Sequence, residues 1–187
     1  MALTIPHLVE AVGPSWLGYW YFLTSEDAPA KIQSKIPLYI DLSFRSHNTV
    51  HPELYGVDTI KKIISGEIAN PGPSDLMSEK ERQFYIQTFE ASGIDKPLNY
   101  YRQVPHGFAI QEELKPNPIL PITLPTLLMA LNYEPFAHPD IVEKSKEFVP
   151  SLEVVRIDSA HCVLMEKREE VTQIVGDWIE KKLKDTK

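Results

Sequence analysis

Cysteine is almost absent from this 187-residue sequence, in which Cys162 is the only example. A single thiol cannot form an intramolecular disulfide, so a secreted scaffold stapled by disulfides is excluded. Long apolar runs are absent too, and none approaches the roughly 20 residues of a membrane-spanning helix. The N-terminus lacks the basic flank and cleavage site of a secretory signal. We therefore expect a cytoplasmic protein that does not enter a membrane.

Clustered positive charge is equally scarce. The net charge is −7, from 19 basic and 26 acidic residues, and the only basic cluster is the C-terminal group Lys181, Lys182 and Lys184. Because phosphate binding requires concentrated Lys and Arg, nucleic acid is not expected as a partner. Three histidines lack the mutual spacing of a metal site, namely His51, His106 and His138. We expect neither a metal nor another cofactor.

The C-terminal third predicts a strand, a helix, a second strand and a second helix. Residues 124–131 form an apolar run without polar alternation, which is typical of a strand buried on both faces. Pro139 suits the first turn of a helix over 139–148, and a second strand follows over 154–158. Apolar residues then recur at helical spacing from Val171 to Leu183. This order indicates a right-handed βαβ unit with parallel strands and one further helix.

Each predicted strand is followed by an ionisable residue, Glu134 after the first and His161 after the second. In open α/β sheets, binding sites form at the C-terminal ends of the strands. A single Glu or His in such a loop is most often an ordinary polar residue. The ordered pair favours a site in which His161 is a general base and Glu134 orients it.

The residues around this pair resemble epoxide hydrolases of the α/β-hydrolase fold. The segment 125–134, PTLLMALNYE, resembles the strand that carries their catalytic acid, although that acid is usually Asp. The segment 158–162, DSAHC, resembles their histidine-bearing turn, followed by Met165-Glu166-Lys167. In that family Gly normally precedes the histidine, where this chain has Ala160. Glu134 is longer than Asp by one methylene group, which must change the placement of its carboxylate.

The middle of the chain predicts a series of helices. One helix over 29–44 contains Pro37, which is expected to kink or split it. A short helix follows over 56–65. Ser78 and Glu81 form a capping box that opens a helix through 91, with Phe84, Tyr85, Thr88 and Phe89 on its apolar side and Gly93 at its end. Residues 104–123 predict an irregular connection, and residues 5–12 predict a short helix.

This helical segment resembles the lid of the same epoxide hydrolases. The motifs are GYWYF at 18–22 and PLNYYR at 97–102. The resemblance implies that Tyr21 and Tyr101 donate hydrogen bonds to an epoxide oxygen and stabilise the developing alkoxide. Trp20, Tyr100, Phe136 and Cys162 would line the substrate pocket. The alternative is that both tyrosines are ordinary packing residues of the lid.

The expected fold is a truncated α/β-hydrolase: a helical lid followed by a βαβα remnant of the parallel sheet. The predicted domains are a lead-in segment over 1–17, the lid over 18–118 and the C-terminal part of the core over 119–187. The sequence contains neither the His-Gly-aromatic-Pro oxyanion turn nor the Gly-x-Asp-x-Gly nucleophile elbow of the family. The family's covalent mechanism is therefore not expected to run on this sequence alone.

Three functions remain open for a protein that takes a small organic molecule. The chain is an epoxide-hydrolase-like enzyme that uses the His–Glu pair for hydrolysis or cyclisation, or it is one half of a split hydrolase. The third possibility is a non-catalytic remnant that binds a small molecule or a related full-length enzyme. A sheet of two strands has exposed edges and is poorly stable alone. We therefore expect a homodimer or a partner chain that completes the sheet.

Overall fold

A computed structural model describes residues 17–50, 52–106, 121–134 and 137–185. The predicted helix over 5–12, residues 107–120 of the predicted connection, and Phe136 lie outside these residues. The described chain forms two compact units. A helical unit contains residues 17–45, 49–50 and 52–106, and a sheet unit contains residues 46–48, 121–134 and 137–185.

The helical unit contains six described α-helices and one 3-10 helix. They are α1 (Tyr19–Leu23), α2 (Ala28–Gln33), α3 (Ile36–Ser43), the 3-10 helix (Pro52–Tyr55), α4 (Thr59–Ser65), α5 (Glu79–Ser92) and α6 (Asp95–His106). Their buried faces form one core rich in Ile and Leu, which includes Phe22, Leu23, Ile32, Ile36, Ile40, Leu42, Ile60, Ile63, Ile64, Ile86, Ile94 and Leu98. Burial of these branched side chains supplies the main driving force for folding of this unit.

Proline and capping residues set several helix ends as predicted. The structure splits the 29–44 helix, because α2 ends at Gln33 and Pro37 lies in the first turn of α3, where its missing N–H costs no hydrogen bond. The capping box is confirmed, since Ser78 accepts a hydrogen bond from the Glu81 amide and the Glu81 carboxylate accepts one from the Ser78 amide. Gly93 ends α5 at φ +77°, a conformation that other residues avoid.

Other boundaries and faces were predicted incorrectly. Helix α4 begins at Thr59 rather than 56, because Asp58 before it takes the left-handed conformation at φ 60°. Helix α6 continues to His106, so the connection predicted from 104 is helical over its first residues. Helix α5 buries Ile86, and Phe84 of the predicted apolar side is 65% exposed. Only a narrow face of α5 is buried in the helical unit, and the periodicity of the sequence did not show which face that is.

The sheet unit has the predicted strand–helix–strand–helix order. Its elements are β1 (Thr126–Leu131), α7 (Pro139–Phe148), β2 (Leu152–Ile157), a short α8 (Val163–Glu166) and α9 (Arg168–Asp185). The strands are parallel, in a register that pairs Thr126 with Leu152 and Leu131 with Ile157. Helix α7 is the crossover, and the parallel register brings the C-terminal ends of both strands to one edge.

The core of the sheet unit is small. Leu131, Ile157 and Val171 are buried at its centre, with Met129, Val155, Val163, Ile174 and Val175 packed around them. The prediction that the first strand is buried on both faces is wrong for most of β1, in which only Ala130 and Leu131 are buried. The sheet has two strands in the described part of the chain, so few neighbouring elements cover it. None of the described helices is long and apolar enough to cross a membrane.

Candidate functional site

Glu134 and His161 are brought together by backbone pairing that continues past the two strands. The Asn132 amide donates to the Ile157 carbonyl at 2.9 Å, and the Tyr133 amide donates to the Ser159 carbonyl at 3.2 Å. The two turns therefore run side by side beyond the sheet. His161 Nδ1 lies 2.7 Å from Glu134 Oε2, within hydrogen-bond distance.

The surroundings of this pair are asymmetric. The Glu134 side chain is 14% exposed, whereas the His161 side chain is 89% exposed. The hydrogen bond that His161 donates to Glu134 raises the pKa of His161 above its ordinary value, and this outweighs the opposing effect of desolvation. Since a carboxylate can only accept, Nδ1 carries the proton that it receives. In the neutral ring Nε2 then has a free lone pair, which is the atom that can accept a proton.

A second histidine–carboxylate pair lies in the same unit. His47 Nδ1 contacts Glu166 Oε1, and the His47 amide donates to the same oxygen at 3.2 Å. The other oxygen, Oε2, accepts from Ser159 Oγ at 2.8 Å and from the Ala160 amide at 3.1 Å. Burial alone would raise the pKa of Glu166, but these donors outweigh it and leave the pKa lowered. Glu166 is therefore a buried, charged carboxylate with four hydrogen-bond contacts.

In the helical unit, Tyr101 belongs to an aromatic cluster with Tyr19 and Trp20. Its ring centroid lies 6.0 Å from that of Tyr19 and 5.6 Å from that of Trp20, both in edge-to-face arrangements. Burial raises the pKa of Tyr101, and a hydrogen bond with Tyr19 partly opposes that rise. Burial likewise raises the pKa of Tyr19. Both phenols remain protonated at neutral pH and can act as hydrogen-bond donors.

The other predicted lid residues lie in different surroundings. Tyr21 follows Tyr19 by two positions on α1 and is 39% exposed. Tyr100 is 68% exposed and touches the Tyr101 ring edge-on at 5.4 Å. The structure therefore places Tyr19, rather than Tyr21, beside Tyr101. Cys162 is partly buried at the start of α8, next to His161 in sequence.

Three residues of these clusters were not singled out from sequence as site residues: Tyr19, His47 and Glu166. Tyr19 lies in the GYWYF motif, two positions before Tyr21, and received no role. Glu166 lies in the histidine-turn resemblance but received no role. His47 meets Glu166 across 119 positions of sequence, so no local pattern could reveal the contact. Among the described residues, no group of three or more His, Cys, Asp or Glu side chains could hold a metal ion.

A carboxylate and a histidine lie on the turns after two parallel strands, and a helical segment precedes them in the chain. This arrangement is that of an α/β hydrolase. Residues 1–168 match the α/β hydrolase fold family, and the chain belongs to that family. Its similarity within the family is to epoxide hydrolases. It is 26% identical over 161 residues to the bifunctional epoxide hydrolase 2 of Sus scrofa, covering 86% of this chain and 28% of that protein.

Further relatives support the same subgroup. The chain is 26% identical over 132 residues to an epoxide hydrolase of Neurospora crassa, covering 66% of this chain and 37% of that protein. The fold matches epoxide hydrolase A from Mycobacterium thermoresistibile with a TM-score of 0.68 at 22% identity, covering 96% of this chain and 57% of that one. Potato epoxide hydrolase I gives a TM-score of 0.65 at 23% identity, with 97% and 57% covered. The chain thus spans under a third of the porcine relative and a little over half of these solved structures.

Proposed function

We propose that this chain carries out epoxide-hydrolase-like chemistry, with His161 as a general base oriented by Glu134 and with lid tyrosines as donors to the epoxide oxygen. The observation that supports this most directly is the 2.7 Å contact between His161 Nδ1 and Glu134 Oε2, because it leaves Nε2 as the proton acceptor. The 89% exposure of the imidazole makes that atom accessible to water. The substrate is a small organic epoxide or carbonyl compound.

The proposed reaction proceeds without a covalent intermediate. His161 Nε2 removes a proton from water, and the resulting hydroxide oxygen forms a bond to one epoxide carbon. The carbon–oxygen bond of the epoxide breaks, and the alkoxide takes a proton from a tyrosine hydroxyl. The imidazolium then returns its proton through solvent to the tyrosinate, so that epoxide and water give a diol. If a substrate hydroxyl replaces water, the same steps give a cyclic ether.

Tyr101 is the proposed principal donor, because its partly buried ring packs edge-to-face against Tyr19 and Trp20 and its phenol stays protonated at neutral pH. We assign the second donor to Tyr19 on the same grounds. The role expected for Tyr21 stays a prediction, as do the pocket roles of Trp20, Tyr100, Phe136 and Cys162.

The second candidate function is that of one half of a split hydrolase, and two observations favour it. The sheet has two strands in the described residues, and the general base is largely open to solvent. Additional strands from another chain would cover the sheet and supply the nucleophile and oxyanion donors of the family's covalent mechanism. His161 would then activate water for hydrolysis of an ester formed on the partner.

Turnover by the purified 187-residue chain distinguishes the two candidate functions. We expect conversion of styrene oxide to its diol, above the solvent rate, with the His161→Gln variant as the control that keeps a polar side chain but cannot accept the proton. Turnover that requires an added or co-purified protein would favour the split hydrolase. Stable binding of the epoxide without conversion under either condition would contradict both enzyme readings and leave a binding function.

A further inference from the structure

The Glu166 carboxylate contacts the turn that carries His161 directly, and it is connected to the turn that carries Glu134 through Ser159. The Glu166 side chain is 6% exposed and receives four hydrogen-bond contacts. Such burial of a charge is costly unless the charge is well paired. The lowered pKa of Glu166 indicates that the four contacts more than compensate for burial.

Ser159 connects Glu166 to the turn that carries Glu134 and lies in the turn that carries His161. Its side chain is fully buried, and its hydroxyl donates to Glu166 Oε2 at 2.8 Å. Its carbonyl accepts the Tyr133 amide, directly before Glu134. Glu166 Oε2 also accepts the Ala160 amide, directly before His161. One carboxylate oxygen therefore fixes the backbone next to the base and, through Ser159, the backbone next to its carboxylate partner.

His47 holds the opposite oxygen of Glu166. Its amide and Nδ1 both contact Oε1, and its ring stacks on the Tyr133 ring with centroids 5.0 Å apart and planes 16° apart. Tyr133 is the neighbour of Glu134, so His47 meets the same turn by a second route. The His47 ring is 20% exposed, which leaves it less accessible than His161.

We propose that Glu166, held by His47, is a positioning residue for His161: it fixes the two turns so that His161 Nδ1 stays within hydrogen-bond distance of Glu134. Neither Glu166 nor His47 touches the substrate. The inference rests on the proposed role of His161 as base. A positional error of about 1 Å at a reacting group can cost ~10²-fold in rate.

The first test is an NMR titration of the histidine rings in the full chain, because it does not depend on turnover. The His161 signal is assigned by its loss in His161→Gln. Glu166→Gln places an amide NH₂ where two donors point, so the turns shift and the pKa of His161 falls toward about 6.5. Glu170→Gln, the same change at an exposed position on α9, leaves that pKa unchanged.

Two further variants separate positioning from general loss of structure. Ser159→Ala removes one donor and keeps the small buried side chain, so it lowers the pKa of His161 without unfolding the chain. His47→Asn places an amide N–H near the position of Nδ1 and retains the His161 pKa, whereas His47→Ala lowers it. Circular dichroism and thermal unfolding check that each variant is folded. Titration of His161 at its wild-type pKa in folded Glu166→Gln or folded Ser159→Ala would overturn the proposal.

Kinetics give the second readout. We expect Glu166→Gln and Ser159→Ala to lower kcat by roughly tenfold to 10²-fold with KM nearly unchanged, since the contacts with substrate are intact. Equal turnover in wild type and folded Glu166→Gln would contradict the positioning role. If wild type shows no turnover, the proposed function fails, while the titration still decides whether Glu166 positions His161.

Discussion

At the scale of single residues, both histidine–carboxylate pairs combine a largely buried carboxylate with a more exposed ring. Glu134 and Glu166 are 14% and 6% exposed, whereas His161 and His47 are 89% and 20% exposed. A buried carboxylate is a fixed acceptor that holds one ring nitrogen. The other nitrogen of an exposed ring can reach solvent. The difference in exposure between the two rings suits His161 to proton transfer and His47 to support.

The pH dependence of turnover tests the Glu134–His161 pair. Because the pKa of His161 is raised, the neutral base forms only above pH ~6.5, and the rate increases as the pH rises through the raised pKa. Glu134→Gln removes the negative charge, so the limb shifts to lower pH and the plateau falls. His161→Gln removes the limb and most of the rate. A pH–rate profile of kcat/KM measures both, and an unshifted limb in Glu134→Gln would contradict the assignment.

The raised pKa of His161 also makes the stability of the fold depend on pH. The bond between His161 and Glu134 contributes fully below pH ~6.5 and is lost as the pH rises through the folded-state pKa. Turnover and this part of the stability therefore change in opposite directions with pH. Because the imidazole is largely exposed, solvent screening keeps the stabilising effect small.

The tyrosines are tested by removing single hydroxyl groups. Tyr101→Phe is expected to lower kcat by roughly 10²-fold, the usual cost of losing one oxyanion donor, with little change in KM. Tyr19→Phe should lower kcat in the same way, because Tyr19 packs against Tyr101 and is the proposed second donor. Tyr21→Phe, on the same helix, tests the donor role that the sequence predicts for Tyr21. A loss of turnover in Tyr21→Phe but not in Tyr19→Phe would return the donor role to Tyr21.

At the scale of elements, an ion pair joins α3 to α5 in the helical unit. Arg82 donates from Nε and Nη2 to the two Asp41 oxygens, each at 2.7 Å, and the Ser74 amide donates to Asp41 at 3.0 Å. Burial would raise the pKa of Asp41, but these donors outweigh it and lower the pKa. The contribution to stability is therefore present above about pH 4 and is lost as the pH falls through the folded-state pKa.

Asp41→Asn tests this connection between helices. It leaves the Arg82 guanidinium, which is 19% exposed, without its charged partner, and should lower the free energy of unfolding by about 3 kcal/mol. Glu79→Gln is the control, since Glu79 faces the same arginine at 3.9 Å but is 73% exposed, and it should cost under ~0.5 kcal/mol. Urea unfolding at pH 7 measures both. Equal effects of the two substitutions would show that burial of the Asp41–Arg82 pair does not increase its contribution to stability.

At the scale of the whole molecule, the two units have unequal cores. The helical unit buries a continuous set of Ile and Leu side chains, whereas three buried residues form the centre of the sheet unit. The sheet unit also leaves large apolar side chains exposed, including Leu124 at 71%, Leu164 at 67% and Leu183 at 64%. A two-stranded sheet with little covering is poorly stable by itself. These features support the proposal that a second copy or a partner chain covers it.

Sedimentation velocity of the purified chain tests the assembly. We expect a dimer or a heteromeric complex at micromolar concentration, with an interface on the order of 2,000 Å² or more, as obligate assemblies have. Cross-linking with mass spectrometry would place that interface on the sheet unit. A stable, folded monomer at micromolar concentration would contradict the prediction.

The sequence by itself determined the local features of this protein. Pro37, the Ser78–Glu81 box and Gly93 define helix ends through their own backbone chemistry, so their effects are readable without tertiary contacts. The parallel strands also follow from pattern, as does the position of Glu134 and His161 after them. Parallel strands end at one edge, so the pairing of those two residues could be anticipated from their order in the chain.

Only the tertiary structure decided which neighbouring aromatic packs against Tyr101 and which distant side chains meet. Tyr19 and Tyr21 share one motif, and packing on Tyr101 distinguishes them. His47 reaches Glu166 from a distant part of the chain, a contact set by the path of the backbone rather than by any periodicity. The sparse burial of β1 has the same cause, since burial depends on the neighbours that cover a strand. Local chemistry is encoded within a few residues, whereas burial and long-range contacts arise when the whole chain packs.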